Sequence, residues 1–397
     1  MLGPAFATLA DLPSLADPST LPARLRALPA GARLLAALGD EPGIHLVGGA
    51  VRDLLLGHDP RELDVVVEGD AVALARRLDP AAVSHDRFAT ATAVLDGHVI
   101  DLATARSERY PRPGALPEIS PASLAEDLRR RDLTVNAIAL PLGGGPLAAV
   151  PGALGDLASG KLRVLHDASF VDDPTRLHRT ARYAARLGFE IEPHTRALAE
   201  AAVRGGALET VSGPRIGAEL RLAAGEPDPP AALSCMAALG LVPAAAHPLS
   251  VLWDALALLP GDARRDLLVL GTWGGLPFAE LGFAAAELTV LDRLVRATEL
   301  AGDARAAGRP SEVRFLFDSE PVEAVALAGA LGAREHVRAY LDELRHVRLS
   351  ITGRDLLAAG VPEGPEIGRR LRATLAARLD GEVPAGRDSE LAAALAA

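Results

Sequence analysis

Apolar and polar positions follow two different periods along the chain. Between residues 44 and 103 the apolar runs are short and broken by glycine. Ile44–Val47 reads as a strand, Gly48-Gly49 breaks it, and Val51–Leu56 reads as a short helix stopped by Gly57. Leu63–Val67 reads as a second strand, apolar apart from Asp64, and Ala71–Leu78 has helical spacing. Ala91–Leu95 and His98–Ala103 predict a hairpin across Asp96-Gly97, a pair suited to the tight turn that matches strand twist. Arg106–Ser123 is rich in proline and poor in apolar anchors, which predicts a long loop of the functional kind. From Asp172 the spacing turns helical: Pro174–Leu187, His194–Ala202, Gly213–Ala224, then Ala/Leu-rich helices to the end. No strand is expected after about residue 165. Before this pattern, residues 1–40 form an Ala/Leu/Pro-rich lead-in with one helix over Leu21–Leu38, and Glu390–Ala397 is expected to fray. The pattern predicts a mixed α/β head followed by a long all-α body.

Composition narrows this picture by exclusion. The 397 residues are 49% hydrophobic and 23% charged, which excludes a mostly disordered chain. The single cysteine, Cys235, excludes an internal disulfide and a cysteine-rich zinc site. No apolar run is long enough to span a membrane, and no Lys or Arg precedes an apolar run in the first twenty residues. A cytoplasmic protein without membrane contacts is expected. The net charge of −11 argues against wholesale coating of nucleic acid, and no DNA partner is expected. A local basic patch inside an acidic whole can still bind phosphate. Arginine must supply it, because Lys161 is the only lysine.

The stretch His45–Asp70 carries the candidate chemistry. Gly48 and Gly49, following a buried strand, let backbone approach a triphosphate, and the next helix offers unpaired N–H groups. Arg52 lies one turn into that helix. Glu62 and Asp64 stand at i and i+2, so on a strand both carboxylates would share a face. Two such hard oxygen ligands suit Mg, which bridges nucleotide phosphates. Asp101, on a neighbouring predicted strand, offers a third carboxylate.

With LVGGAVRD, LLLG and a carboxylate–apolar–carboxylate strand in this order, the chain resembles the class II CCA-adding enzymes and bacterial poly(A) polymerases. The family has aspartate at both metal positions, where this chain has Glu62 and Asp64. The resemblance continues through Arg130-Arg131-Asp132-Leu133-Thr134-Val135-Asn136-Ala137, through Asp172-Asp173-Pro174-Thr175-Arg176 with Arg179 and Arg182 beyond it, and through SGPRIGAEL at Ser212–Leu220. Asp172 and Pro214 stand where the family usually has glutamate. Ile351–Gly368 is similar to the family's C-terminal segment. The resemblance implies a nucleotidyltransferase-type mixed sheet over residues 41–165, a helical neck with the nucleotide-selecting helix over 166–245, and an RNA-binding helical body and tail over 246–397. It implies nucleotide binding by Gly48, Gly49, Arg52, Arg131, Asp173, Arg176, Arg179 and Arg182, catalysis by Glu62, Asp64 and Asp101, and Mg held by Glu62 and Asp64.

Helical spacing supports the neck assignment. Arg176, Arg179, Arg182 and Arg186 recur at steps of three and four, on a face opposite Leu177, Ala181, Ala184 and Ala185. An arginine face beside a metal site suits a triphosphate and an RNA backbone. Cytosine and adenine both present an exocyclic amine beside a ring-nitrogen acceptor. A carboxylate and a guanidinium, Asp173 and Arg176, would accept these two bases and oppose the carbonyls of uracil and guanine. The implied reaction is attack by a tRNA 3′-hydroxyl on the α-phosphate of CTP or ATP, with Mg. Nine arginines against six acids between Arg334 and Arg378 offer a surface for the tRNA elbow. Addition of C only, addition of A only, and poly(A) synthesis are the alternatives within the class, with the 106–123 segment deciding among them. Glu62, Asp172 and Pro214 together leave one alternative outside it, an RNA-binding protein with weakened catalysis.

Overall fold

The computed structural model describes residues 15–397. Residues 1–14 of the lead-in lie outside the described residues. The rest of the lead-in forms two helices, Leu21–Ala27 and Pro29–Leu38, where one was expected. Leu28 is extended because the residue before a proline is pushed out of the helical region, and Pro29 then opens the next helix.

Seven strands form one sheet: β1 (Ile44–Val47), β2 (Asp64–Val67), β3 (Val83–His85), β4 (Thr90–Leu95) and β5 (His98–Thr104), with two more from later in the chain. Two further strands, β6 (Arg106–Arg109) and β7 (Glu118–Pro121), pair with each other, before β8 (Ile138–Pro141) and β9 (Ala148–Ala149) rejoin the sheet. Its order is β3-β4-β5-β2-β1-β8-β9. β1 is buried at all four positions between antiparallel β2 and β8, so it shows no polar-out alternation, and its one polar residue, His45, is buried with Ile44, Leu46 and Val47. β2 and β5 run parallel, which sets Asp64 opposite Asp101. β4 and β5 form the expected hairpin, with Asp96 and Gly97 both in the left-handed region its turn requires.

The segment expected to be a loop is an antiparallel ribbon, β6 with β7. Its strand positions carry charge on both faces, among them the Arg109–Glu118 ion pair, so no apolar alternation announces it. A second correction is small. Glu190–Ile191 pairs in parallel with Lys161–Leu162, giving a two-residue strand beyond residue 165.

The chain divides into two compact units, one running to Glu219 and resuming over Glu226–Val242, the other comprising Leu220–Gly225 and Pro243–Ala397. The first holds the sheets and the helices Thr175–Leu187, Pro193–Arg204 and Pro229–Ala238. The second contains helices and connecting turns, with a core that includes Leu252, Leu267, Phe317 and Leu327. Its last helix, Arg387–Ala396, does not fray as expected, because Ala394 packs with Ile351, Leu356 and Val361 and buried Glu390 accepts from Ser350 N. No described helix is long and apolar enough to cross a membrane.

Leu177, Ala181 and Ala184 are buried on the Thr175–Leu187 helix as the spacing predicts, with Ala185 half-buried. His178 between them is fully buried and neither ring nitrogen has a hydrogen-bond partner. Burial pushes its pKa down to about 4, against ~6.5 in an unfolded chain. Between these values the unfolded chain binds a proton that the native one refuses, so stability rises with pH across that window. Denaturant melts from pH 4 to 7.5 should show the wild type losing about 3 kcal/mol more than H178L towards pH 4. A difference constant with pH would overturn this assignment.

Candidate active site

β1 delivers the chain into Gly48, whose N–H donates to Ile138 O at 3.1 Å and whose φ is +66°. That left-handed φ favours glycine, and a Cβ there would also press on Arg131 Nη1 at 2.9 Å. The turn opens on a cavity of about 350 Å³. The sheet side contributes Gly48, Gly49, Asp64, Arg131, Asp132 and Asn136, and the helical side contributes Asp173, Arg176, Arg179, Tyr183 and Arg215.

Asp64 is half-buried and also lines an adjoining cavity with Thr92, Asp101, Arg130 and Arg131. Burial raises its pKa, and the carboxylates of Asp101 and Glu62 add to the rise against the pull of Arg131 and Arg179. Asp101 is oriented by Thr92 Oγ1, which donates to Oδ1 at 2.6 Å. Glu62 is exposed, in a bend ahead of β2, and lines neither cavity. The strand begins at Asp64, so period-two alternation does not reach Glu62, and the carboxylate that faces Asp64 comes from the neighbouring strand. Among the described residues no three His, Cys, Asp or Glu side chains enclose a metal. Paired hard oxygen donors at an open cavity fit a cation that arrives with its own phosphate ligands.

Two buried acids fix the arginines. Asp127 accepts from Arg130 on Oδ1 and from Arg131 on Oδ2, at 2.7–3.0 Å. Burial opposes its ionisation, but the two guanidiniums prevail and hold its pKa below the usual range. Asp132 Oδ1 accepts from Leu133 N and Asn136 Nδ2, and its Oδ2 accepts from Arg179 Nε at 2.8 Å. Here too burial opposes ionisation, and Arg179 with Asn136 drives the pKa far below the usual range.

Arg52 does not reach the cavity, contrary to the sequence expectation. It is 1% exposed, donates to Asp53 Oδ1 and to Asn136 Oδ1, and lies 5.2 Å from the Tyr183 ring centroid. It therefore braces Asn136 and, through it, Asp132. The arginines of the Thr175–Leu187 helix likewise make no solvated stripe. Arg182 pairs with Glu219 and Glu226, Arg186 with Glu226, and neither lines the cavity. Buried carboxylates draw both towards the protein interior. Four guanidiniums, of Arg52, Arg179, Arg182 and Arg186, stand 5.1–5.7 Å from the Tyr183 ring centroid.

Asp173 and Arg176 both line the cavity without pairing with each other. Arg176 donates to Ser169 Oγ, to Arg130 O and, at 3.4 Å, to Tyr110 Oη. Asp173 Oδ1 accepts from Thr175 N and Oγ1 and from Arg215 Nη2. Arg106, Glu108, Tyr110, Leu116, Pro117, Arg130 and Arg215 complete the lining without having been singled out in the sequence. Arg130 and Arg215 sit inside motifs that could have marked them. Glu108 and Tyr110 sit in the charged ribbon, which carries no periodic signal. Burial pushes the Tyr110 hydroxyl pKa upward, with Glu108 adding to the shift, so it stays protonated.

Residues 44–163 match the family model of the poly A polymerase head domain. The CC-adding tRNA nucleotidyltransferase of Deinococcus radiodurans is 37% identical over 360 residues, covering 87% of this chain and 87% of that protein. The A-adding tRNA nucleotidyltransferase of Geobacter sulfurreducens is 36% identical over 404 residues, and the match spans 90% of this chain but 46% of that protein. The structure of the Thermotoga maritima CCA-adding enzyme complexed with tRNA is similar with a TM-score of 0.73 at 30% identity, covering 96% of this chain and 98% of the other.

Proposed function

The chain belongs to the class II family of CCA-adding tRNA nucleotidyltransferases, and on that premise we propose that it extends the 3′ end of tRNA with C and A from CTP and ATP. The addition reads no nucleic-acid template and releases pyrophosphate. One observation carries this reading: Asp173 and Arg176 share a cavity with Gly48, Gly49, Asp64 and Arg131. A carboxylate and a guanidinium that recognise an amine beside a ring nitrogen thus sit within reach of the groups that hold phosphates.

Gly48 and Gly49 admit the triphosphate close to backbone, and Arg131 and Arg179 balance its charge. Asp64 and Asp101, with Glu62 nearby, would hold a divalent cation, which we take to be Mg; when bound it would lower the pKa of the attacking hydroxyl and offset phosphate charge. The 3′-oxygen bonds to the α-phosphorus as the bond to the α–β bridging oxygen breaks, so no covalent enzyme intermediate is needed. Asp173 accepts from the exocyclic amine of C or A and Arg176 donates to the ring nitrogen. Uracil and guanine would bring a carbonyl against the carboxylate, a mismatch of ~1–3 kcal/mol.

We assign residues 41–165 to the catalytic head, 166–245 to the neck, and 246–397 to an RNA-binding body and tail working in the cytoplasm. Exposed Arg338, Arg348 and Arg354 suit phosphates read by shape. The relatives from Deinococcus and Geobacter favour a second reading, in which only C or only A is added. Three tRNA transcripts, ending before CCA, after C and after CC, separate these readings when incubated with Mg and CTP, ATP or both. CCA on the shortest transcript is the expected result. Activity with CTP alone, or with ATP only on the CC-ended transcript, would establish a half-enzyme. Long A tails would mean a poly(A) polymerase, and no addition would refute the enzyme.

A further inference from the structure

Arg215 lies in the first turn of the Gly213–Ala224 helix, where the helix dipole disfavours a cation. Its partners account for its position. Nη2 donates to Asp173 Oδ1 at 2.8 Å, and Nη1 donates to Gly114 O at 2.8 Å. Gly114 belongs to the tip of the β6–β7 ribbon. Its own N–H reaches the carbonyls of Val171 and Asp172, at 3.3 and 3.2 Å, in the two residues that precede Asp173. The two peptide groups flanking this one glycine therefore hold the selecting carboxylate from the chain before it and, through Arg215, from its own oxygen. No other residue fits there. Gly114 has φ +68°, and a Cβ would overlap Thr210, 2.5 Å from its carbonyl oxygen.

We infer that Arg215, bridging the ribbon tip at Gly114 to Asp173, is a positioning residue for nucleotide selection. The inference rests on the base-selecting reading of Asp173 given above. Three donors converge on Oδ1, two from Thr175 and one from Arg215, which fixes the carboxylate's rotation and would leave Oδ2 to accept from the base. Selection by mismatch needs this rigidity. A carboxylate free to rotate turns away from the carbonyl of uracil or guanine and no longer penalises it. Loss of the bridge should therefore admit the wrong nucleotides more than it weakens the right ones. A merely structural arginine would weaken all four alike.

The test measures Kd for CTP, ATP, UTP and GTP by calorimetry, and kcat/KM on tRNA, using the full chain. The wild type should prefer C and A by about 10- to 100-fold. R215Q and G114A should each reduce that preference to a few-fold, R215K should recover part of it, and the double variant should do no worse than either single one. G114A leaves every charged group in place, so it tests the bridge even if R215Q unfolds. Equal weakening towards all four nucleotides in R215Q, or full selectivity in a folded G114A, would overturn the inference alone. A wild type that binds all four equally would remove the base-selecting reading and the inference with it.

Discussion

Replacing Asp64 by alanine is expected to lower nucleotide addition by about 10³-fold or more while leaving the protein folded. A metal ion acting on the reacting phosphate supplies several kcal/mol of transition-state stabilisation, and ~4 kcal/mol corresponds to roughly three orders of magnitude. Asp64 is the carboxylate common to both cavities, with Asp101 opposite it across the parallel β2–β5 pair. D101A should therefore cost a comparable factor. Glu62, exposed and ahead of the strand, should cost about tenfold or less as E62Q. Stability should move differently from rate. The raised pKa of Asp64 means that its ionised form is disfavoured in the folded state, so D64A should melt no lower than the wild type at neutral pH. Single-turnover rates and thermal melts on the three variants decide the matter. A loss in E62Q as large as in D64A would return the metal to the Glu62–Asp64 pair.

The second large effect is on folding. D132A removes the partner of Arg179 and one partner of Asn136 from a buried site. Breaking a fully buried ion pair from one side typically costs 3–5 kcal/mol, and because Arg179 is a third exposed towards the cavity the loss expected here is smaller, about 2 kcal/mol. Urea denaturation should show a loss of about this size, with D132N losing less because its amide oxygen still accepts. The pH signature separates this site from His178. An unfolded aspartate titrates near 3.9 and the native Asp132 well below that. Its stabilisation is thus present above that range and lost as pH falls below about 4, whereas the His178 loss is complete by then. A D132A curve parallel to the wild type below pH 4 would contradict the assignment.

Where the sequence carries a local signal, the structure follows it closely. The mostly apolar β1, the glycine break and the Asp96-Gly97 hairpin need only neighbouring residues to be read, and the Gly213–Ala224 helix lies where its spacing puts it. What was not legible depends on distant partners. Arg52 is turned away from the cavity by Asn136, 84 residues on, and Arg182 by Glu226, 44 residues on. No local pattern records such a partner. The ribbon was hidden for a different reason: its stability comes from backbone pairing and charge pairs, so hydrophobic alternation is absent. Asp101 was expected from the sequence as a third carboxylate, but its pairing with Asp64 was not, because strand order places it opposite Asp64 where sequence spacing favoured Glu62.

The central place of β1 also sets the order in which the site can be made. Its two neighbours differ in timing: β2 follows within the same stretch of chain, but β8, whose Ile138 carbonyl holds the Gly48 N–H, is synthesised almost a whole head later. Closing that long loop costs entropy that only the finished sheet returns. On the ribosome the β4–β5 hairpin can form as soon as it emerges, while the glycine turn waits for Pro141 to clear the exit tunnel. The Gly48-Gly49 turn is thus among the last parts of the head to become native, and a nascent chain arrested before β8 would carry a complete hairpin and no formed cavity.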